Sequence, residues 1–173
     1  MPRPADDTTP TARPGVSRVA VAVVVAAVVG VGAWAFLSSS RGVEAAPDGT
    51  DPACAEVLAA LPGSLAGLPR TPQGAAGVAV WGAEGVVLRC GAAVLGPTEK
   101  PCLPIGPDAA RSVDWVLDAE NDRAARFLTF GRDPAVEVTV DTRVTRTTVA
   151  DAPSVLVDLA DAVSTVRQTR TCV

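Results

Sequence analysis

The chain has 173 residues, 15 of them basic and 19 acidic, giving a net charge of −4, and it contains neither histidine nor tyrosine. That composition removes Ser-His-Asp and Cys-His catalysis, histidine-ligated zinc and phenolic acid–base chemistry. The acidic balance argues against nucleic acid as a partner.

Residues 1–18 are rich in Pro, Thr and Asp with almost no large apolar side chains, and are expected to form a disordered cytoplasmic tail. Val19 to Leu37 is an uncharged run of nineteen residues, about 28 Å as a helix and thus close to the hydrocarbon thickness of a bilayer. Arg3, Arg13 and Arg18 precede it and Arg41 alone follows closely. Positive-inside bias then sets the N-terminus in the cytoplasm and everything after Leu37 outside. The favoured reading is a retained transmembrane helix over 19–37. The alternative is a cleaved signal peptide with Val43-Glu44-Ala45 as the cleavage site. Residues 38–49 are small and polar and read as a linker.

Residues 50–173 are expected to form one extracytoplasmic α+β domain. Asp51 is a good N-cap, Pro52 suits the first helical position, and Cys54, Leu58 and Leu61 share one stripe of the helix they open. Ser64 to Gly77 reads as loop. Val78 to Trp81 and Val86 to Cys90 read as a hairpin, with Cys90 and Leu88 facing inward. The four prolines between Gly96 and Pro107 predict a long loop holding Cys102. Val113 to Leu117 and Arg126 to Phe130 predict a second hairpin across a polar connection, Asp118 to Ala125. Ala135 to Asp141 alternates cleanly as a strand, and Pro153 to about Arg167 as an amphipathic helix. The expected architecture is an antiparallel sheet of about five strands with two helices on one face.

All four cysteines lie beyond the apolar run, and an even number in an oxidising compartment reads as disulfides. Cys54 and Cys90 both point to the core, which favours Cys54–Cys90. Cys102–Cys172 would then pin a long loop and the C-terminal segment. Three pairings remain open from sequence.

No motif calls for a cofactor or a metal. Asp118, Glu120 and Asp122 have the opening spacing of a calcium loop, but Arg123 stands where Gly is needed and Thr129 where the bidentate Glu is needed. A solvated hairpin tip is the better reading. Lys100 is the only lysine, and no S-x-x-K motif accompanies it. Trp81, Arg89, Asp114, Trp115 and Arg132 are large groups beside turns. They read either as core and cross-strand packing, with Asp114–Arg132 paired, or as a polar–aromatic patch for a partner.

Cys54 with Leu61-Pro62, then Trp81-Gly82, Val87-Leu88-Arg89-Cys90-Gly91, Val113-Asp114-Trp115 and Gly131-Arg132 resemble a family of actinobacterial membrane-anchored proteins catalogued as a domain of unknown function. The resemblance spans roughly residues 50–165. Ser112 stands where the family usually has Gly, and Ala92-Ala93 where it tends to have Val-Pro. It implies an envelope location and carries no catalytic residue over. The expected protein is a single-pass, non-enzymatic plasma-membrane module that binds or scaffolds an envelope protein or glycan. The rival is a hydrolase of cell-wall material using paired carboxylates.

Overall fold

The computed structural model describes residues 42–172. The tail 1–18 and the expected membrane span 19–37 lie outside the described residues. Among the described residues no helix is long and apolar enough to cross a membrane.

Helix α1 (Pro52–Ala60) begins where the cap predicts: Asp51 accepts a hydrogen bond from the Ala53 backbone N–H at 2.8 Å, satisfying one donor that the first turn leaves free. Eight strands follow: β1 (Ser64–Leu65), β2 (Leu68–Thr71), β3 (Val78–Trp81), β4 (Val86–Ala92), β5 (Cys102–Ile105), β6 (Val113–Glu120), β7 (Ala124–Thr129) and β8 (Ala135–Asp141). They form one antiparallel sheet in the order β1-β2-β3-β4-β8-β7-β6-β5. Two meanders, β1 to β4 and β5 to β8, are therefore joined at the β4–β8 seam, where Leu88 faces Val138 and Cys90 faces Val136.

The expected five strands become eight. The additional strands come from segments expected to be loops: β1 and β2 pair through a turn whose Ala66 and Gly67 both have positive φ, and β5 forms within the proline-rich stretch. Prolines are tolerated there because β5 is the sheet's edge. The polar connection also shrinks, β6 and β7 running on to Glu120 and Ala124.

One face of the sheet carries the core. Trp81, Leu88, Val113, Trp115, Phe127, Val136 and Val138 form a single apolar cluster with Cys54 and Val57 of α1 and with Leu156, Leu159 and Val163. The last three belong to the segment expected as one amphipathic helix, but its first half, Ala152–Leu159, is wound as a 3₁₀-helix before helix α2 (Ala160–Val163). Over eight residues a period of 3.0 and a period of 3.6 bury nearly the same apolar positions, so patterning does not separate them. Two buried pairs, Ala152/Val155 and Leu156/Leu159, have the i, i+3 spacing at which a 3₁₀-helix aligns its side chains.

The segment expected as linker is joined to the domain from Ala46 onward. Ala46 is buried, and the Asp48 N–H donates to the Gly91 carbonyl at 3.0 Å. Gly91 has φ +93, and a Cβ there would overlap the backbone of Asp48 and Gly49, so this close approach requires glycine.

Candidate functional site at the C-terminal strap

Alternation along β6 puts Val113 and Trp115 on the core face and Asp114 on the other. Trp115 and Trp81 are both fully buried. The exposed polar–aromatic patch drawn from Trp81, Arg89, Asp114, Trp115 and Arg132 is therefore not formed. Both tryptophans are consumed by the core, where their area is best removed from water. Trp81 donates its indole N–H to the Pro62 carbonyl at 3.1 Å, whereas the Trp115 indole N–H has no hydrogen-bond partner among the described residues. Arg89 lies across the central seam, its Nη2 2.6 Å from Glu137 Oε1.

Asp114 and Arg132 do meet, though not as the expected direct pair. Gln168 stands between them: its Nε2 donates to Asp114 Oδ2 at 2.8 Å, and its Oε1 accepts from Arg132 Nη2 at 3.2 Å. The buried Arg132 also donates through Nη1 to the Val166 carbonyl. Burial pushes its guanidinium below the usual range, opposed by the nearby Asp114 carboxylate; an arginine nonetheless stays charged.

These and the following contacts hold residues 167–172 as a strap. Thr169 N–H and Oγ1 both donate to the Gly131 carbonyl, at 2.7 and 3.0 Å. Cys172 N–H donates to Asp114 Oδ2 at 2.9 Å. The Arg170 guanidinium lies 5.5 Å from the centroid of the Phe130 ring, within cation–π range. Gly131 has φ +70, and a Cβ there would overlap the Arg170 backbone. The strap ends in the Cys102–Cys172 disulfide, which joins it to edge strand β5, while Cys54–Cys90 joins α1 to β4.

Strap, edge strand and the Pro97–Lys100 loop enclose a recess of about 570 Å³, walled by Pro97, Lys100, Cys102, Pro104, Phe130 and Cys172. Lys100 Nζ and Arg126 Nη2 both reach Asp118, at 2.6 and 2.5 Å. The Lys100 hydrogen bond is the largest influence holding the Asp118 carboxyl below the ordinary range, against the opposing effect of burial and with Arg126 adding to it. The expected hairpin tip follows Asp118; Glu120 and Asp122 are exposed there, and among the described residues no group of His, Cys, Asp or Glu is arranged to hold a metal. A second recess, of about 340 Å³, is lined by Asp48, Asp51 and Asp133 among others.

The motif residues thus have structural work to do: Asp114 and Arg132 bind the strap, Gly131 lets it approach, Cys90 and Arg89 tie β4 to its neighbours, and Gly91 admits the N-terminal segment. A family profile described as a protein of unknown function (DUF3515) matches residues 17–172. The chain belongs to the DUF3515 family. No curated protein and no solved structure matches it. The DUF3515 chain brings no assigned activity, and its two disulfides point to an extracytoplasmic domain. Gln168 and Phe130, central to the strap of this DUF3515 protein, carry no sequence signal of their own; the proximity of Gln168 to Cys172 was the only available cue.

Proposed function

We propose that this is a membrane-anchored, non-enzymatic envelope module, and that the recess beside the strap holds a segment of another envelope protein. The observation that carries this reading is the fate of the polar groups. Arg89, Asp114, Asp118 and Arg132 are each engaged by partners within the protein, so none stands free as an acid, base or nucleophile. The recess offers an aromatic ring and prolines for apolar side chains, with Lys100 and Glu99 at its margin.

Strand addition at β5 is a poorer mode of capture. Leu117 N–H donates to the Pro101 carbonyl, which sets the alternation so that Cys102 and Pro104 turn their backbone groups away from β6. Pro104 has no N–H to offer there, which blunts the edge. The anchor rests on the apolar run 19–37.

The test is capture of partners from cell envelope by the full-length protein, with Phe130→Ala as the comparison. Recovery of one protein by the wild type and its loss in the variant supports the reading; a glycan alone, or nothing above background, counts against it. The rival hydrolase would draw on the recess bearing Asp48, Asp51 and Asp133. Its Asp51 is already spent on capping α1. Release of soluble fragments from purified cell wall, lost in Asp133→Asn, would favour it instead.

A further inference from the structure

The two disulfides sit in different surroundings. Cys54 and Cys90 are both 0% exposed and lie within the apolar cluster. Cys102 and Cys172 are partly exposed and form part of the wall of the open recess. Exchange requires a thiolate to reach a disulfide sulfur, so access alone separates the two bridges.

What the bridges hold differs as well. Beyond Val166, which is buried, no described residue of the strap is: Arg167, Thr169, Arg170 and Thr171 are exposed, Gln168 and Cys172 intermediate. The strap is fastened by hydrogen bonds to Gly131, Asp114, Arg132 and, from Arg170, the Leu95 carbonyl, by Arg170 over Phe130, and by one covalent bond. Apolar burial, the strongest non-covalent fastening in a fold, is missing from it. Behind it lie Asp114 and the buried Arg132, whose Nε has no partner among the described residues.

We infer that Cys102–Cys172 is a thiol–disulfide exchange site and that its opening releases the strap from Gln168 to Cys172, uncovering Asp114 and Arg132, while Cys54–Cys90 keeps the domain folded. The reductant is a dithiol. One of its thiolates attacks a sulfur of the bridge and forms a mixed disulfide, releasing the other cysteine as a thiolate. The dithiol's second sulfur then closes on the first and expels the remaining cysteine. The dithiol loses two electrons and two protons and becomes a disulfide; Cys102 and Cys172 each gain one of each and become thiols. The inference does not rest on the recess having a partner: in the free protein the bridge is reached through the open recess.

The experiment is a titration of the folded, full-length protein with dithiothreitol, followed by isotopic alkylation, peptide mapping and hydrogen exchange on the same samples. Cys102 and Cys172 are expected to open at least about tenfold faster than Cys54 and Cys90. Amide protection at Thr169 and Cys172 is then lost while β8 stays protected. Equal rates for the two bridges, earlier opening of Cys54–Cys90, or a strap that stays protected after Cys102–Cys172 has opened would each overturn the inference. The double substitution Cys102→Ser with Cys172→Ser, without reductant, is expected to reproduce the unprotected strap with β8 intact; a strap still protected in it overturns the latch equally. An oxidised sample carried through in parallel reads partner capture separately, so failure of the binding reading leaves this outcome distinguishable.

Discussion

Arg132 and Gln168 are joined twice: their backbones form an isolated antiparallel bridge, and the guanidinium donates to the Gln168 side-chain oxygen at 3.2 Å. The two residues are 36 apart in sequence, so this single pair closes the C-terminal segment back onto the turn before β8. Replacing Arg132 by Met should cost about 2–4 kcal/mol, because the buried Val166 carbonyl loses its donor along with the strap contact. Arg132→Lys should recover little of that, since one ammonium cannot reproduce the guanidinium's fork. Urea denaturation of both variants checks this, and Arg132→Lys matching the wild type would refute it.

The two tryptophans offer a sharper comparison. Both are fully buried, but only the Trp81 indole N–H is satisfied, by the Pro62 carbonyl. Trp81→Phe creates a void and strips that carbonyl of its donor. Trp115→Phe creates a similar void but removes an unpaired donor. Trp81→Phe should therefore be the more costly by about 1 kcal/mol, the net worth of a part-buried hydrogen bond. Equal losses in parallel thermal melts would contradict the assignment.

Asp118 sets an acid limit on the Pro97–Lys100 loop. Its carboxyl is held below the ordinary range chiefly by the hydrogen bond from Lys100, with burial opposing and Arg126 adding to the effect. A depressed folded-state pKa means stability fully present above the unfolded value, about 3.9, and lost as pH falls through the folded one. Asp118→Asn should flatten the stability profile below about pH 4. At neutral pH it should cost under about 1 kcal/mol per pair, as both cations are partly exposed. Thermal melts across pH 2–7 would read both effects.

Cys54–Cys90 and Cys102–Cys172 span 36 and 70 residues. Chain entropy alone therefore values each at about 4 kcal/mol. Native burial breaks that near-tie. Cys54→Ala with Cys90→Ala also opens space under α1, within the main cluster, and should be the more destabilising pair. Hydrogen exchange should show Pro52–Ala60 losing protection first; loss beginning in β6 would contradict this.

The sequence by itself determined the elements whose signals are local. Asp51-Pro52 caps α1 whatever it packs against, and Val136, Val138 and Val140 alternate because a half-buried strand must. The pairing Cys54–Cys90 was within reach for the same reason, since both cysteines lie on apolar stripes. The motif Val113-Asp114-Trp115 was legible as important without its purpose being legible.

Tertiary structure decided whatever depends on partners distant in the chain. Strands β1, β2 and β5 are only two to four residues long and lie in glycine- and proline-containing stretches, with too little alternation to register alone; they exist because a neighbouring strand offers a ladder. The proposed aromatic patch dissolved because strand phase, a consequence of pairing, turned Trp81 and Trp115 inward. Asp114, Arg132 and Gln168 became one device because the fold brings residues 54 and 36 positions apart to a common point. Local propensity acts over a few residues, whereas a strap laid over Asp114 and Arg132 is a product of where the sheet ends.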